Sequence, residues 1–121
     1  MSKFLIRQSA SGFKFDLLAS NGQVILSSEV YTSRAAAIKG IASIRLNASG
    51  AKVENQTEED WTVRSHPKFE VYQDKAGQYR FRLKARNGKI VGTSEAYTNK
   101  AGCLNGVESV MKNAAEAEME G

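Results

Sequence analysis

The chain has 121 residues, of which 41% are hydrophobic and 25% are charged, and its formal net charge is +4. These proportions are ordinary for a globular protein of one domain, and no apolar run is long enough to span a membrane. A net charge this small does not by itself indicate nucleic-acid binding. The single cysteine cannot form an internal disulfide, and the N-terminus lacks the apolar segment of a signal peptide. We therefore expect a cytoplasmic protein.

The same pattern is present twice in the chain. Residues 13–48 align without a gap with residues 79–114, and Phe15 and Phe81 show the constant offset of 66 positions. An Asn-Gly pair, a Ser-Glu pair, a Tyr-Thr pair and a helical glycine recur at the same spacing in both copies. A repeat of this length predicts two units of the same fold.

The two repeats are predicted to lie at 3–56 and 67–117 within one domain, 1–121. One copy has roughly 45 residues, which is close to the lower limit for a domain that folds alone. We therefore expect the two copies to share one hydrophobic core.

Each copy begins with a short strand, at residues 4–8 and 69–73, and continues after a glycine loop into a β-hairpin. Asn21-Gly22 and Asn87-Gly88 separate the hairpin strands. Asn-Gly tolerates positive φ at both positions, so the sequence predicts a two-residue type I′ turn in each copy.

A helix follows each hairpin, and Ser33 and Asn99 are its N-cap candidates. Gly40 and Gly106 lie inside the helices, where glycine costs about 1 kcal/mol relative to alanine. Their presence in both copies predicts a close backbone contact, helix against helix near a pseudo-two-fold axis. Apolar residues at helical spacing form one stripe on each helix: Ile38, Ile41, Ile44 and Ala48, and Leu104, Val107, Met111 and Ala114.

These elements predict an α+β fold of two tandem β-β-β-α(-β) repeats. The simplest arrangement is a two-layer sandwich with one antiparallel sheet, both helices on one face and the other face open to water. Residues 51–55 are the candidate for a fourth strand in the first repeat.

The doubled segments FKFDLLASNG and YRFRLKARNG, followed by SEVYTSR and SEAYTNK and a helix with an inner glycine, resemble the YegP-like family of small bacterial proteins. The resemblance covers nearly the whole chain. It implies a single sheet in which the last strand of each repeat is exchanged between the repeats. Residues 51–55 fit such a strand, whereas the second copy ends in AEAEMEG, which predicts a short or missing strand. The family has no established activity to carry over.

The segment QYRFRLKARNGK (78–89) alternates apolar and cationic residues, as a strand with one buried face would. Counting back from a two-residue turn places Arg80 opposite Glu95, and Lys14 opposite Glu29. Such cross-strand pairs are worth up to about 1 kcal/mol and would explain both glutamates. The alternative is that the glutamates are an acid and base pair, but no third polar group accompanies them.

Arg82, Lys84, Arg86 and Lys89 are left without acidic partners by the same counting. The first copy has Asp16, Leu18, Ser20 and Gln23 at these positions, so the fold does not require cations there. They are candidates for contact with an anion, a nucleic acid or a protein. Alternatively, they only keep an open sheet face soluble and unpaired.

No constellation of catalytic or cofactor-binding residues is apparent. His66 has no Cys or His partner for a metal, and Cys103 is expected to be a small core residue. The sequence therefore predicts a small binding or interaction module, not an enzyme, with a protein or a second copy as its partner. The alternative is nucleic-acid or other polyanion binding through the basic sheet face of the second repeat.

Overall fold

The computed structural model describes residues 1–121, which form eight strands and two helices. The first repeat contains β1 (Lys3–Ser9), β2 (Gly12–Leu18), β3 (Val24–Ser27), α1 (Arg34–Ala48) and β4 (Lys52–Asn55). The second repeat contains β5 (Lys68–Gln73), β6 (Tyr79–Lys84), β7 (Ile90–Thr93), α2 (Lys100–Asn113) and β8 (Glu118–Glu120). Neither helix is long and apolar enough to cross a bilayer.

All eight strands form one sheet in the order β4-β5-β6-β7-β3-β2-β1-β8. The order is symmetric about the β3–β7 pair, so an approximate two-fold axis through the centre of the sheet relates the repeats. The inner pairs are antiparallel, whereas the outermost pairs, β4 with β5 and β8 with β1, are parallel. The predicted α+β sandwich is confirmed, but its sheet is mixed rather than wholly antiparallel.

The parallel pairs are the strands exchanged between the repeats. β4 follows α1 and pairs with β5 of the second repeat, and β8 follows α2 and pairs with β1 of the first repeat. Each exchanged strand covers the free edge of the other repeat, whose backbone groups would otherwise lack partners. β8 has three residues, so the acidic C-terminal sequence does form a strand, but a short one.

The predicted N-caps are confirmed for both helices. Ser33 and Asn99 have extended backbones, and their side-chain oxygens accept hydrogen bonds from the amides of Ala36 (3.1 Å) and Gly102 (2.7 Å). Each cap satisfies an amide that the first turn of the helix leaves without a partner.

Both helices pack on the same face of the sheet, and 22 buried residues form one hydrophobic cluster. The stripe residues Ile41, Ile44 and Val107 are buried, whereas Leu104 and Met111 are partly buried. α1 contacts β1 and β2 of its own repeat and also β7 of the other, and α2 contacts β5, β6 and also β3. Because each helix reaches across the centre of the sheet, the core is shared by both repeats.

Gly40 and Gly106 approach tyrosine side chains, so the predicted contact between the two helices is wrong. A Cβ at Gly40 would collide with the hydroxyl oxygen of Tyr31, and a Cβ at Gly106 would collide with that of Tyr97. Burial raises the pKa of both tyrosine hydroxyls. The repeated glycines therefore make room for the tyrosines that close the core beside each helix.

At one position in the centre of the sheet, the two repeats have side chains of very different size. Leu26 of β3 is fully buried, and its equivalent in β7 is Gly92. A Cβ built on Gly92 would lie 2.7 Å from carbon atoms of the Leu26 side chain. The symmetric site thus holds one large side chain and one glycine, because two side chains would overlap near the axis.

We expect Gly92→Ala to lower the free energy of unfolding by about 1–3 kcal/mol, because the added methyl group overlaps Leu26 in a packed core. Gly50→Ala is the matched control, since no atom lies within 4 Å of a Cβ at that position. Urea denaturation of the two variants measures the difference. A Gly92→Ala protein as stable as the Gly50→Ala protein would show that the central packing is looser than described.

Candidate functional site

The loop between β6 and β7 has three residues, Arg86, Asn87 and Gly88, so the predicted two-residue type I′ turn is wrong. The Gly88 amide donates to the Ala85 carbonyl, and the Ala85 amide donates to the Lys89 carbonyl, both at 2.9 Å. Gly88 has a φ of +82°, whereas Asn87 keeps a negative φ and accepts from the Lys89 amide at 3.0 Å. A type I turn with a glycine bulge needs only one left-handed residue. Arg86 therefore lies in the loop and not on the strand face.

Arg82 and Lys84 do lie on the open face of β6, but both are paired with Glu70 of β5. The distances are 2.6 Å from Arg82 Nε to Glu70 Oε1 and 3.3 Å from Lys84 Nζ to Glu70 Oε2. Lys68 Nζ lies 3.4 Å from the same carboxylate and 2.8 Å from Glu54 Oε1 of β4. We call these five residues the open-face network. The prediction that the candidate cations lack acidic partners is wrong for Arg82 and Lys84.

Glu54 is the most buried member of the open-face network, with 2% of its surface exposed. Burial alone would raise the pKa of Glu54. Hydrogen bonds from Lys68, the backbone amide of Arg64 and the side chain of Gln56 outweigh this effect and lower the pKa to about 2. The carboxylate is thus charged at neutral pH, and the bond from Arg64 holds the linker between the repeats against β4.

Glu70 and Lys68 are likewise held in their charged forms. Burial would raise the pKa of Glu70, but hydrogen bonds from Arg82 and Lys84 outweigh burial and lower it. The hydrogen bond to Glu54 raises the pKa of Lys68 against the effect of burial. The Arg82 guanidinium also lies over the ring of Tyr72, 4.6 Å from its centroid.

Arg86 and Lys89 form no ion pair, and both are exposed. The four candidate cations are therefore divided between two environments. Arg82 and Lys84 are paired with Glu70 inside the open-face network, in which two carboxylates offset two of the three positive charges. Arg86 and Lys89 are free at the end of the hairpin.

The predicted cross-strand pairs of Glu29 and Glu95 are absent. Arg80 pairs instead with Asp74 in the β5–β6 loop, with 2.8 Å between Nε and Oδ2. β3 and β7 end two residues before Glu29 and Glu95. The register of the strands therefore does not determine which residues these glutamates face. The loop carboxylate of Asp74 is the nearer partner for Arg80.

The serine before each glutamate explains the repeated Ser-Glu pair. Ser28 is buried, its Oγ accepts from the Phe15 amide at 2.9 Å, and the same hydroxyl donates to the Glu29 carbonyl at 2.7 Å. Ser94 makes the same two bonds in the second repeat. Sequence reasoning singled out the charged residue of the pair, whereas the buried hydroxyl has the structural role.

Cys103 is fully buried, which confirms it as a core residue, and burial raises the pKa of its thiol to about 11. The thiol is thus protonated at neutral pH and is a poor nucleophile. No group of three or more His, Cys, Asp or Glu side chains is arranged to hold a metal ion.

A broad, shallow groove lies between the β2–β3 hairpin of the first repeat and α2 of the second repeat. Its volume is about 540 Å³. Eight residues line it: Ala19, Ser20, Asn21, Asn105, Glu108, Ser109, Lys112 and Asn113. One negative and one positive side chain cancel, so we call this cleft the neutral groove. Asn105, Ser109 and Lys112 share one helical face, but only the exchanged topology shows that this face meets the hairpin of the other repeat.

Comparison with known families finds one match in each repeat. The family described as a domain of unknown function, DUF1508, matches residues 9–55 and 74–120. The chain belongs to the DUF1508 family. The resemblance to YegP-like proteins is thereby confirmed.

Individual relatives of this DUF1508 protein agree with the duplicated fold. A UPF0339 protein of Mannheimia succiniciproducens is 46% identical over 103 residues, which cover 85% of this chain and 78% of the relative. A UPF0339 protein of Treponema denticola is 60% identical over 50 residues, which cover 41% of this chain and 86% of the relative. That relative is therefore little longer than one repeat. The solution NMR structure of YegP from E. coli, a protein of unknown function, matches with a TM-score of 0.77 and 33% identity, covering 98% of this chain and 90% of that one.

Glu54→Gln should make the DUF1508 protein less stable at neutral pH but not in acid. The pKa of Glu54 falls from its usual 4.5 to about 2 on folding, so its charge stabilises the fold above pH 4.5, and this contribution is lost as the pH falls towards 2. We expect a difference in unfolding free energy of about 3 kcal/mol at pH 7 that shrinks below pH 4.5.

The measurement is urea denaturation at a series of pH values, with the exposed Glu59→Gln as the control. The control should follow the parent at every pH. A Glu54→Gln difference that stays constant from pH 7 to pH 2 would contradict a charged Glu54 in the folded state.

Proposed function

We propose that this DUF1508 protein is a binding module, and that it binds a small polar ligand in the neutral groove. The supporting observation is that polar side chains converge on this groove without partners in the protein. Ser20, Asn105, Glu108 and Lys112 line it and form no side-chain hydrogen bond or ion pair. Convergent polar groups are what orients a ligand in a small-molecule binding site.

The rigidity of the groove also supports binding. On the hairpin side, the Asn21 side chain accepts from the Gln23 amide at 2.9 Å, which fixes the loop. On the helix side, the Asn113 amide group donates to Ser109 Oγ at 3.1 Å and to its carbonyl at 2.8 Å. A site that is already ordered loses less entropy when a ligand binds.

The lining favours binding over catalysis. A serine nucleophile requires a base within hydrogen-bonding reach of its hydroxyl. The Ser109 hydroxyl accepts a bond from an amide, and an amide cannot serve as that base. Glu108 and Lys112 offer one charge of each sign, which suits a ligand with both donors and acceptors.

Nucleic-acid or other polyanion binding through the basic sheet face is the second candidate, and it has less support. Glu70 already pairs with both Arg82 and Lys84, so an anion on this face would have to compete with a buried carboxylate. Arg86 and Lys89 are the two candidate cations that remain free. A protein partner, a second copy of the chain and a cytoplasmic location remain predictions from the sequence.

The neutral groove can be tested by NMR titration of ¹⁵N-labelled protein with monosaccharides, amino acids and nucleosides at millimolar concentrations. We expect at least one class to shift the amides of residues 19–25 and 102–113 together. Asn105→Trp should abolish these shifts because the indole fills the cleft, whereas Lys75→Trp in the exposed β5–β6 loop should leave them unchanged. Shifts that survive Asn105→Trp, or no shifts with any class, would contradict the proposal.

A further inference from the structure

By the approximate two-fold axis, the surface between the β6–β7 hairpin and α1 corresponds to the neutral groove. Here the hairpin belongs to the second repeat and the helix to the first. In the neutral groove the hairpin belongs to the first repeat and the helix to the second. α1 contacts β7 as α2 contacts β3, so the two hairpin–helix arrangements are equivalent. The offset of 66 positions therefore identifies which residues line this surface.

The equivalent residues have a different charge. Two neutral residues of the neutral groove, Ser20 and Asn105, correspond to Arg86 and Lys39. Gln23, which lines an adjoining depression together with Asn105, corresponds to Lys89. Two charged residues, Glu108 and Lys112, correspond to Ala42 and Leu46. Over the eight positions of the neutral groove the charge thus changes from zero (one Glu and one Lys) to +2 (Lys39 and Arg86), and Lys89 from the adjoining position brings it to +3. No acidic residue replaces Glu108. We call the site of Lys39, Arg86 and Lys89 the cationic groove.

The fold does not account for these three cations. Each is exposed, and none forms an ion pair. The first groove has the same backbone and hairpin loop with uncharged residues at the same positions. Like charges that lie near one another repel, and an anionic ligand that binds between them removes this repulsion.

We propose that the cationic groove binds a compact anion that carries two or more phosphate groups. This inference rests on the proposed function, because it treats both hairpin–helix grooves as binding sites. Arg86 offers a planar guanidinium that can donate two parallel bonds to a phosphate, and Lys39 and Lys89 offer point charges. The hairpin loop that carries Arg86 is fixed by the bonds around Gly88 and Asn87.

The surroundings of the cationic groove favour a compact anion over a long one. The neighbouring cations Arg82 and Lys84 are held by Glu70 on the open face. A nucleic-acid backbone leaving the groove across that face would meet a network in which two carboxylates already offset two of the three positive charges. Three cations confined to one cleft match a ligand whose charges are close together.

Calorimetric titration with inorganic triphosphate, at low and at physiological salt, tests the proposal. We expect binding that weakens with salt. The triple variant Lys39→Gln, Arg86→Gln, Lys89→Gln should weaken it by about tenfold or more at low salt. The control Lys52→Gln, Arg64→Gln, Lys75→Gln removes one Arg and two Lys at exposed positions elsewhere and should bind within about twofold of the parent. Equal melting temperatures of both triple variants show that folding is unaffected.

A gain-of-function variant provides the second test. Ser20→Arg, Gln23→Lys, Asn105→Lys places the cations in the neutral groove and should create a second triphosphate site, seen as a doubled stoichiometry. No binding to the parent at low salt, or equal weakening in both triple variants, would overturn the proposal. Binding of a single-stranded oligonucleotide without binding of triphosphate would also overturn it, in favour of nucleic-acid binding. If polar ligands still bind the neutral groove, this inference alone has failed; if neither groove binds, the proposed function has failed.

Discussion

The crossed placement of β4 and β8 is the constraint on which the rest of the structure depends. Each strand leaves its own repeat and completes the sheet edge of the other repeat. The direct seam between the repeats has few hydrogen bonds, because β3 and β7 share a single ladder pair, Ser27 with Thr93. Cohesion between the two halves therefore comes from the exchanged strands, the helices that cross the centre and the packing of Leu26 over Gly92.

The same crossing creates the two grooves. A groove between a hairpin and the helix of the other repeat exists only when both repeats are assembled, so its two sides come from distant parts of the chain. Duplication then allows the lining residues to diverge independently. The neutral groove has uncharged residues and one balanced pair, and the equivalent positions of the other repeat pair have three unpaired cations.

The open face shows how the linker breaks the symmetry. Glu54 accepts from the Arg64 amide of the linker and from Lys68, and Lys68 in turn contacts Glu70. At the position of Glu70 the first repeat has Leu5, which follows from the alignment of residues 4–8 with 69–73. The buried charges are thus concentrated where the linker covers the sheet. Breaking such a network by removing one member leaves a buried charge without a partner, which is more costly than the net gain from forming it.

The sequence was sufficient for the helices, their caps and the duplicated α+β architecture. The N-caps at Ser33 and Asn99, the apolar stripes and the duplication all depend on short-range patterns or on the comparison of two segments. The turn type was missed because Asn-Gly fits both a two-residue and a three-residue loop. The three-residue loop that forms places Arg86 in the loop and not on the strand. The partner of Arg82 was missed because the register was counted only between β6 and β7, whereas Glu70 lies on β5, the other neighbour of β6. Glu54, which completes the network, lies on an exchanged strand that the register of a hairpin does not place. The neutral groove could not be predicted for the same reason, since its walls meet only after the exchange.

Native-state hydrogen exchange tests most directly whether the two repeats form one cooperative structure. The most protected amides of β2 and β6 should exchange with the same free energy of opening and the same dependence on denaturant, because neither strand has a core that survives without the other repeat. The amides of Phe15 and Phe81 are suitable probes, since each donates to a buried serine in the equivalent place. A lower opening free energy for one repeat, with protection retained in the other, would contradict the shared core.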